Sequence, residues 1–402
     1  MRQTLAAGDN LPPSQNDQQP ILVVRPGSNA ALLRLLPHLL GFVPEASLVV
    51  IGTSPPRDRI RVTLRYDLPD TPEAGQAADI AEHAVGVLRS QRLTAAVAIG
   101  YGPEPQVNPV ADALRNAARS AELEVREFLR VQDSRYWSYL CDQACCPADG
   151  VPFDAEPADA AEAAALARVG DRVFTCRAAL AARVSPLGGI TAESMRQATR
   201  RAEQHVAQLL AKVRKSSRLG AARHMIAAEG LAASGAMITR YRDGGRFTTD
   251  YEIARITVAL RDLRVRDDAW ARMDPEHTEA HIRLWIDVVR RAQPGYVAAS
   301  AALLAFVAWQ SGDGALANVA LDRALADDPD YSMALLLRQV ITAGVPPSQA
   351  RLPMTPEEVA ASYHDAEYRH GEYGYEECGY DDYDYDPDPD VDDQAPDTDD
   401  KD

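Results

Sequence analysis

The period of the apolar residues changes once along this chain, near residue 155, and that change restricts the fold more than any single motif. Before it, short runs rich in β-branched residues alternate with helical segments. ILVV at 21–24 is followed by a helix from about Asn29 to Leu40, then by SLVVIG at 47–52 and RIRVTLRYDL at 59–68. A helix from about Glu73 to Gln91 places Ile80, Ala84, Val87 and Leu88 on one face at the 3.6-residue period. TAAVAIGYG at 94–102, a helix from about Pro109 to Ala121 and LEVREFLRV at 123–131 complete the alternation. Strands interleaved with helices predict an α/β domain over residues 20–155, with a mixed, partly parallel sheet.

After VPFDAEP the alternation stops, and residues 156–346 read as an all-helical domain. Thr249 and Glu252 form a capping box ahead of a helix whose core face is Ile253, Ile256, Leu260 and Leu263. Asp274 and Pro275 supply the N-cap and first-turn proline of the next helix, with Ile282, Trp285, Ile286 and Val289 inward, and Pro294 and Gly295 end it. PGY at 294–296 recurs as PDY at 329–331, 35 residues later, with an Arg-Ala pair upstream each time: Arg291-Ala292 and Arg323-Ala324. The stretch between resembles a tetratricopeptide-like hairpin. Gly312 and Asp313 stand at its turn, Ala317 and Ala324 where the helices must approach closely, and Pro329 after the second helix. An ordinary hairpin of a helical bundle is the competing reading.

Charge is distributed as unevenly as periodicity. The net charge is −17, but residues 376–402 hold fourteen Asp or Glu against one Lys, which leaves −4 for everything else. Residues 1–19, polar and proline-containing, and the acidic tail 347–402 hold too little aliphatic surface to offset backbone entropy and are expected to be disordered. No apolar run approaches the ~20 residues of a membrane span, and the first twenty residues lack the features of a secretory signal, so a cytoplasmic protein is expected. A thiol-reducing compartment and five cysteines, an odd number, argue against a disulfide framework.

Four places are candidates for chemistry. Cys141, Cys145 and Cys146 fall within six positions and, with Cys176, could supply four thiolates to zinc or an iron–sulfur cluster. Their spacing lacks paired C-x2-C knuckles, and a structural loop closed by Pro147 and Gly150 is the plainer reading, so no cofactor is predicted. His277 and His281 share a helix face without the H-E-x-x-H glutamate and are expected to be exposed. The loop GYGPEP after the strand at 94–102 is where α/β domains place ligands, which nominates Asp67, Tyr101 and Gly102 as ligand-binding residues, although no phosphate-binding glycine motif is present. Finally, the segment 195–225 carries eight Lys or Arg against one Glu. It could lie along phosphates or receive the acidic tail, although it lacks aromatics for base stacking, and a solvated basic face is the plain alternative.

LLPHLLGFVPEASLVVIG, RVTLRYDLP, RYWSYLCDQACCPADGVP and AWQSGDGALANVALDRALADDPDYSMALLL, in that order, resemble the actinobacterial family called domain of unknown function 4192, over about residues 21–346. The resemblance implies a soluble bacterial cytoplasmic protein and brings no reaction, ligand or catalytic residue to these positions. The expectation from the whole sequence is a non-enzymatic protein-interaction or regulatory module whose partner is another protein. A membrane partner is not expected, and nucleic acid is disfavoured. The alternatives are a small-ligand binder or enzyme using the strand-end loops, or weak nucleic-acid binding through 195–225.

Overall fold

The computed structural model describes residues 28–54, 59–141, 143, 146–169, 173–214, 219–245, 248–349 and 354–363. The strand expected at 21–24, both expected disordered ends apart from 347–349 and 354–363, and Cys145 lie outside them. The first part of the chain runs α1 (Asn29–Leu40), β1 (Ser47–Ser54), β2 (Arg59–Asp67), α2 (Ala74–Ser90), β3 (Ala95–Tyr101), α3 (Glu104–Ser120), β4 (Glu124–Gln132), β5 (Arg135–Ser138) and β6 (Val151–Pro152). These strands form one mixed sheet in the order β2-β1-β3-β4-β5-β6. β1 is antiparallel to both neighbours, β3 and β4 are parallel across the α3 crossover, and β5 and β6 add antiparallel pairs.

Both faces of the sheet are covered, which is why β1 is buried along almost its whole length. Leu48, Val50, Ala96, Ala98 and Phe128 point toward α2 and α3 and share a core with Ala81, Leu88, Val110 and Leu114. Gly100 lets α3 come close: a Cβ there would lie 2.3 Å from Val107 Cγ1. Residues at the alternate positions, Val49, Ile51, Ile99, Leu129 and Val131, face the other way, into the core that contains α1.

The second part is helical: α4 (Ala160–Val169), α5 (Arg177–Ala181), α6 (Gly189–Arg214), α7 (Leu219–Arg242), α8 (Asp250–Ala259), α9 (Leu263–Ala271), α10 (Thr278–Arg291), α11 (Ala298–Gln310), α12 (Gly314–Asp327) and α13 (Ser332–Thr342). A last helix of about two turns covers 356–363 and buries Val359. The buried residues of these helices and of the second sheet face form one contiguous cluster, from Leu32 to Leu337. Phe174 ties the two parts: its N–H donates to Gly41 O at 2.8 Å, and its carbonyl accepts from Val43 N at 2.9 Å. Among the described residues no helix is long and apolar enough to cross a membrane.

Several local expectations need correction. α3 begins at Glu104, five residues before the expected start, because Pro103 and Pro105 suit a helix entry, where their missing N–H groups cost nothing; Pro109 therefore lies inside the helix. The segment after β4 adds β5 through a two-residue turn in which Asp133 and Ser134 both have positive φ, the conformation of a twist-matched hairpin. Leu263 is not on the core face of α8: α8 ends at Ala259, Asp262 caps a new helix, and Leu263 starts it at 46% exposure. The basic stretch 195–225 is divided between α6 and α7. His281 is buried at 1% exposure rather than displayed at a helix start, because a turn of 3-10 helix at Pro275–His277 precedes α10 and carries that position inward.

Candidate functional site: an arginine-lined pocket

The ligand residues nominated from sequence do converge. Pairing of Ser47 with Asp67 and with Tyr101 places Asp67, Tyr101 and Gly102 along one edge of the sheet. The space between them is filled by the chain itself. Gln106, 4% exposed, donates from Nε2 to Leu68 O at 3.0 Å and to Pro69 O at 3.2 Å. Its Oε1 sits 2.2 Å from where a Cβ on Gly102 would be, and Gly102 adopts φ +148°. Asp67 accepts from Arg65 Nη2, and Arg130, beside this edge, is held by Gln132 at 3.0 Å, by Glu104 at 3.1 Å and by the Trp137 ring at 3.7 Å. Tyr101 packs into the core, and burial pushes its phenol well above the usual tyrosine range.

The cysteines do not form a described metal centre. Cys141, Cys146 and Cys176 are partly buried, Cys145 lies outside the described residues, and no group of three or more His, Cys, Asp and Glu among the described residues is arranged to hold a metal. At the other histidine candidate, His277 Nδ1 lies 2.7 Å from Asp274 Oδ1, and His281 Nε2 lies 3.7 Å from Asp274 Oδ2. Burial holds the His281 imidazole below its ordinary value.

The hairpin residues lie at the α11–α12 turn and along α12. Asp313 caps α12 by accepting from Leu316 N at 2.9 Å, Gly312 makes the turn at φ +86°, Ala317 and Ala324 are fully buried between helices, and Pro329 follows α12. Residues Ala301 to Ala308 of α11 are all buried, so this helix offers no open groove.

The basic helix is where a cavity forms. α6 presents Arg196, Thr199, Arg200 and Glu203 on one face, at the three- and four-residue spacing of neighbours along a helix. Opposite stand Arg290 and Arg291 from the last turn of α10, Tyr296 from the loop to α11, and Arg323 from α12, enclosing about 510 Å³, a volume typical of small-ligand sites. Five arginines therefore face one glutamate. The wall is fixed by bonds on its far side. Arg291 pairs with Asp287 and, at 3.2 Å, with Asp250 Oδ1, while Tyr241 donates to Asp287 Oδ2 at 2.5 Å. Burial and that bond push Tyr241 up to about 12. Leu187 N donates to Arg290 O at 2.8 Å, and Asp327 accepts from Gly295 N at 2.8 Å and Val297 N at 2.8 Å, which holds the Pro294–Tyr296 loop.

Inside this wall the polar groups are under-used. Arg196 is paired with Glu193, and Tyr296 donates to Glu203, but Arg200, Arg290 and Arg323 have no carboxylate partner among the described residues. The Thr199 hydroxyl, on a residue 4% exposed, and Arg323 Nε are buried with no hydrogen-bond partner. A buried polar atom left unpaired costs about 1–3 kcal/mol, so an acceptor entering the pocket would find donors ready to bond it. Guanidinium groups pair bidentately with phosphate and carboxylate oxygens. Sequence reading found the α6 arginines but not Thr199, Arg290, Arg291, Tyr296 or Arg323 as site residues; the available signal was the repeated Arg-Ala pair, whose two arginines, Arg291 and Arg323, both line the pocket.

The mixed sheet packed between helices and joined to a helical region that encloses an arginine-lined pocket defines an α/β protein with a candidate anion site. Residues 30–348 match the family model described as Domain of unknown function (DUF4192), and the chain belongs to that family. No curated protein and no solved structure matched the chain.

Proposed function

We propose that the protein is a non-enzymatic, cytoplasmic regulatory module of a bacterium, as the resemblance to an actinobacterial family first implied, and that it binds a small phosphate-bearing ligand in the arginine pocket. One observation carries this reading: Arg200, Arg290 and Arg323 stand without carboxylates around the buried, unpartnered Thr199 hydroxyl and Arg323 Nε. A phosphoryl group supplies several acceptor oxygens in the geometry that arginine forks and a hydroxyl match. A protein partner engaged through the helical hairpin is less favoured, because α11 is sealed on the positions that would have to open.

The test is titration of inorganic pyrophosphate into the full chain at low salt, followed by calorimetry. Binding that weakens at least tenfold in the Arg200→Ala, Arg323→Ala double variant, and that falls with added salt, is the expected result. Equal heats from the wild type and the double variant would remove the pocket from consideration.

A further inference from the structure

Three observations bear on how such a pocket is controlled. The first is charge: a cavity with five arginines and one glutamate belongs to a chain whose residues 376–402 carry fourteen carboxylates and one lysine. The second is the exit point of the chain. Tyr363, the last described residue, donates its hydroxyl to Asp267 Oδ2 at 2.6 Å on α9. Six positions before Asp267, the Arg261 guanidinium lies 5.7 Å from the ring centroid of Tyr296, at the pocket. Six residues span at most about 22 Å, which bounds the separation of these two backbone positions. The third is reach. Glu376 lies 13 positions beyond Tyr363, a length that can extend to about 45 Å, and the acidic segment runs a further 26 positions to Asp402.

We propose that the acidic segment 376–402 occupies the arginine pocket of its own chain and competes there with the phosphate-bearing ligand. This rests on the pocket being an anion site. Aspartate carboxylates offer the same paired oxygens as a phosphoryl group but carry less charge per group, which makes them a displaceable substitute for it. Tethering supplies the rest: a linked segment acts at an effective concentration on the order of millimolar, so even a weak contact keeps the pocket largely filled until a tighter anion arrives. The groups facing the segment would be Arg200, Arg290, Arg323 and the Thr199 hydroxyl, with Glu203 opposing and held by Tyr296.

The experiment compares the wild-type full chain with a full-length variant in which the twelve aspartates of 376–402 are changed to asparagine and Glu376 and Glu377 to glutamine. Pyrophosphate should bind the neutralised chain roughly tenfold more tightly, and the difference should vanish at high salt, where both competitors are screened. Equal affinities overturn the inference while leaving the anion site standing. If neither chain binds pyrophosphate, the anion-site reading fails, and a second arm decides the tail contact on its own. Carbodiimide treatment of the Arg200→Lys full chain should link position 200 to a carboxylate of 376–402, identified by peptide mass. No such link overturns the tail contact.

Discussion

The sheet edge at Asp67, Tyr101 and Gly102 and the arginine pocket at α6 and α10 both gather polar side chains, but they differ in what those side chains are bonded to. At the edge, Gln106 fills the space and bonds Leu68 O and Pro69 O, Asp67 pairs with Arg65, and Arg130 is held on three sides. In the pocket, three arginines lack carboxylates, and three buried polar atoms, Thr199 Oγ1, Arg291 Nε and Arg323 Nε, lack any partner among the described residues. The edge is filled by Gln106, although the Tyr101 hydroxyl and Arg65 Nε there are also buried without a partner among the described residues; what the pocket adds is open volume beside arginines that no carboxylate holds. Convergence of polar residues at the position where α/β sheets usually bind ligands is therefore insufficient evidence of a site, and open volume lined by cations without carboxylates discriminates better.

This contrast is best broken by stability and binding measured on the same variants. Gln106→Ala should lower unfolding free energy by about 2–3 kcal/mol, since two carbonyls lose their donor and a buried volume empties, while pyrophosphate affinity stays unchanged. Denaturant unfolding and calorimetry together check it; a change in affinity would show that the edge communicates with the pocket. Asp327→Ala removes the acceptor for three backbone N–H groups at the start of α11 and should cost about 1–2 kcal/mol. Because the same carboxylate holds the Pro294–Tyr296 wall, affinity should weaken several-fold as well. Arg323→Ala should change unfolding free energy by no more than about 0.5 kcal/mol, since it forfeits no ion pair among the described residues. A large loss of stability would assign that arginine to structure rather than to binding.

The smallest effect concerns acid. Burial holds the His281 imidazole below its ordinary value, with the nearby Asp274 carboxylate opposing that shift and Arg242 and His277 adding to it. The unfolded chain therefore takes up the proton first as pH falls. The stability tied to neutral His281 is complete above the unfolded value and is withdrawn as pH drops from there through the folded value. The urea midpoint of the wild type should fall between pH 7.5 and pH 5.5, with a shallower decline in His281→Leu. Parallel declines would remove His281 as the cause.

Much of the fold was legible because its signals are local. Thr249, Asp274 and Asp313 each mark an element start by a side chain that sequence alone displays, and the apolar, β-branched runs at 47–54 and 59–67 suit strands of a covered sheet. What escaped depended on contacts between distant residues. β5 is four residues long and owes its existence to pairing with β4 and to the Asp133–Ser134 turn. The pocket was half visible: the charge of α6 was plain, yet the opposing arginines lie on α10 and α12, and nothing local announces that Arg291 and Arg323, noticed as parts of a repeat, converge with it.

The shared core has a consequence for how the chain is made. The sheet face bearing Val49, Ile51, Ile99 and Leu129 belongs to the same buried cluster as residues as late as Leu337, roughly 200 positions after β4 ends. At about 5–20 residues per second, a ribosome completes that interval in roughly 10–40 s. For that time the nascent sheet carries an oily flank covered only in part by α1, an obvious landing place for ribosome-associated chaperones, and a translation stall inside the helical half would leave it adhesive.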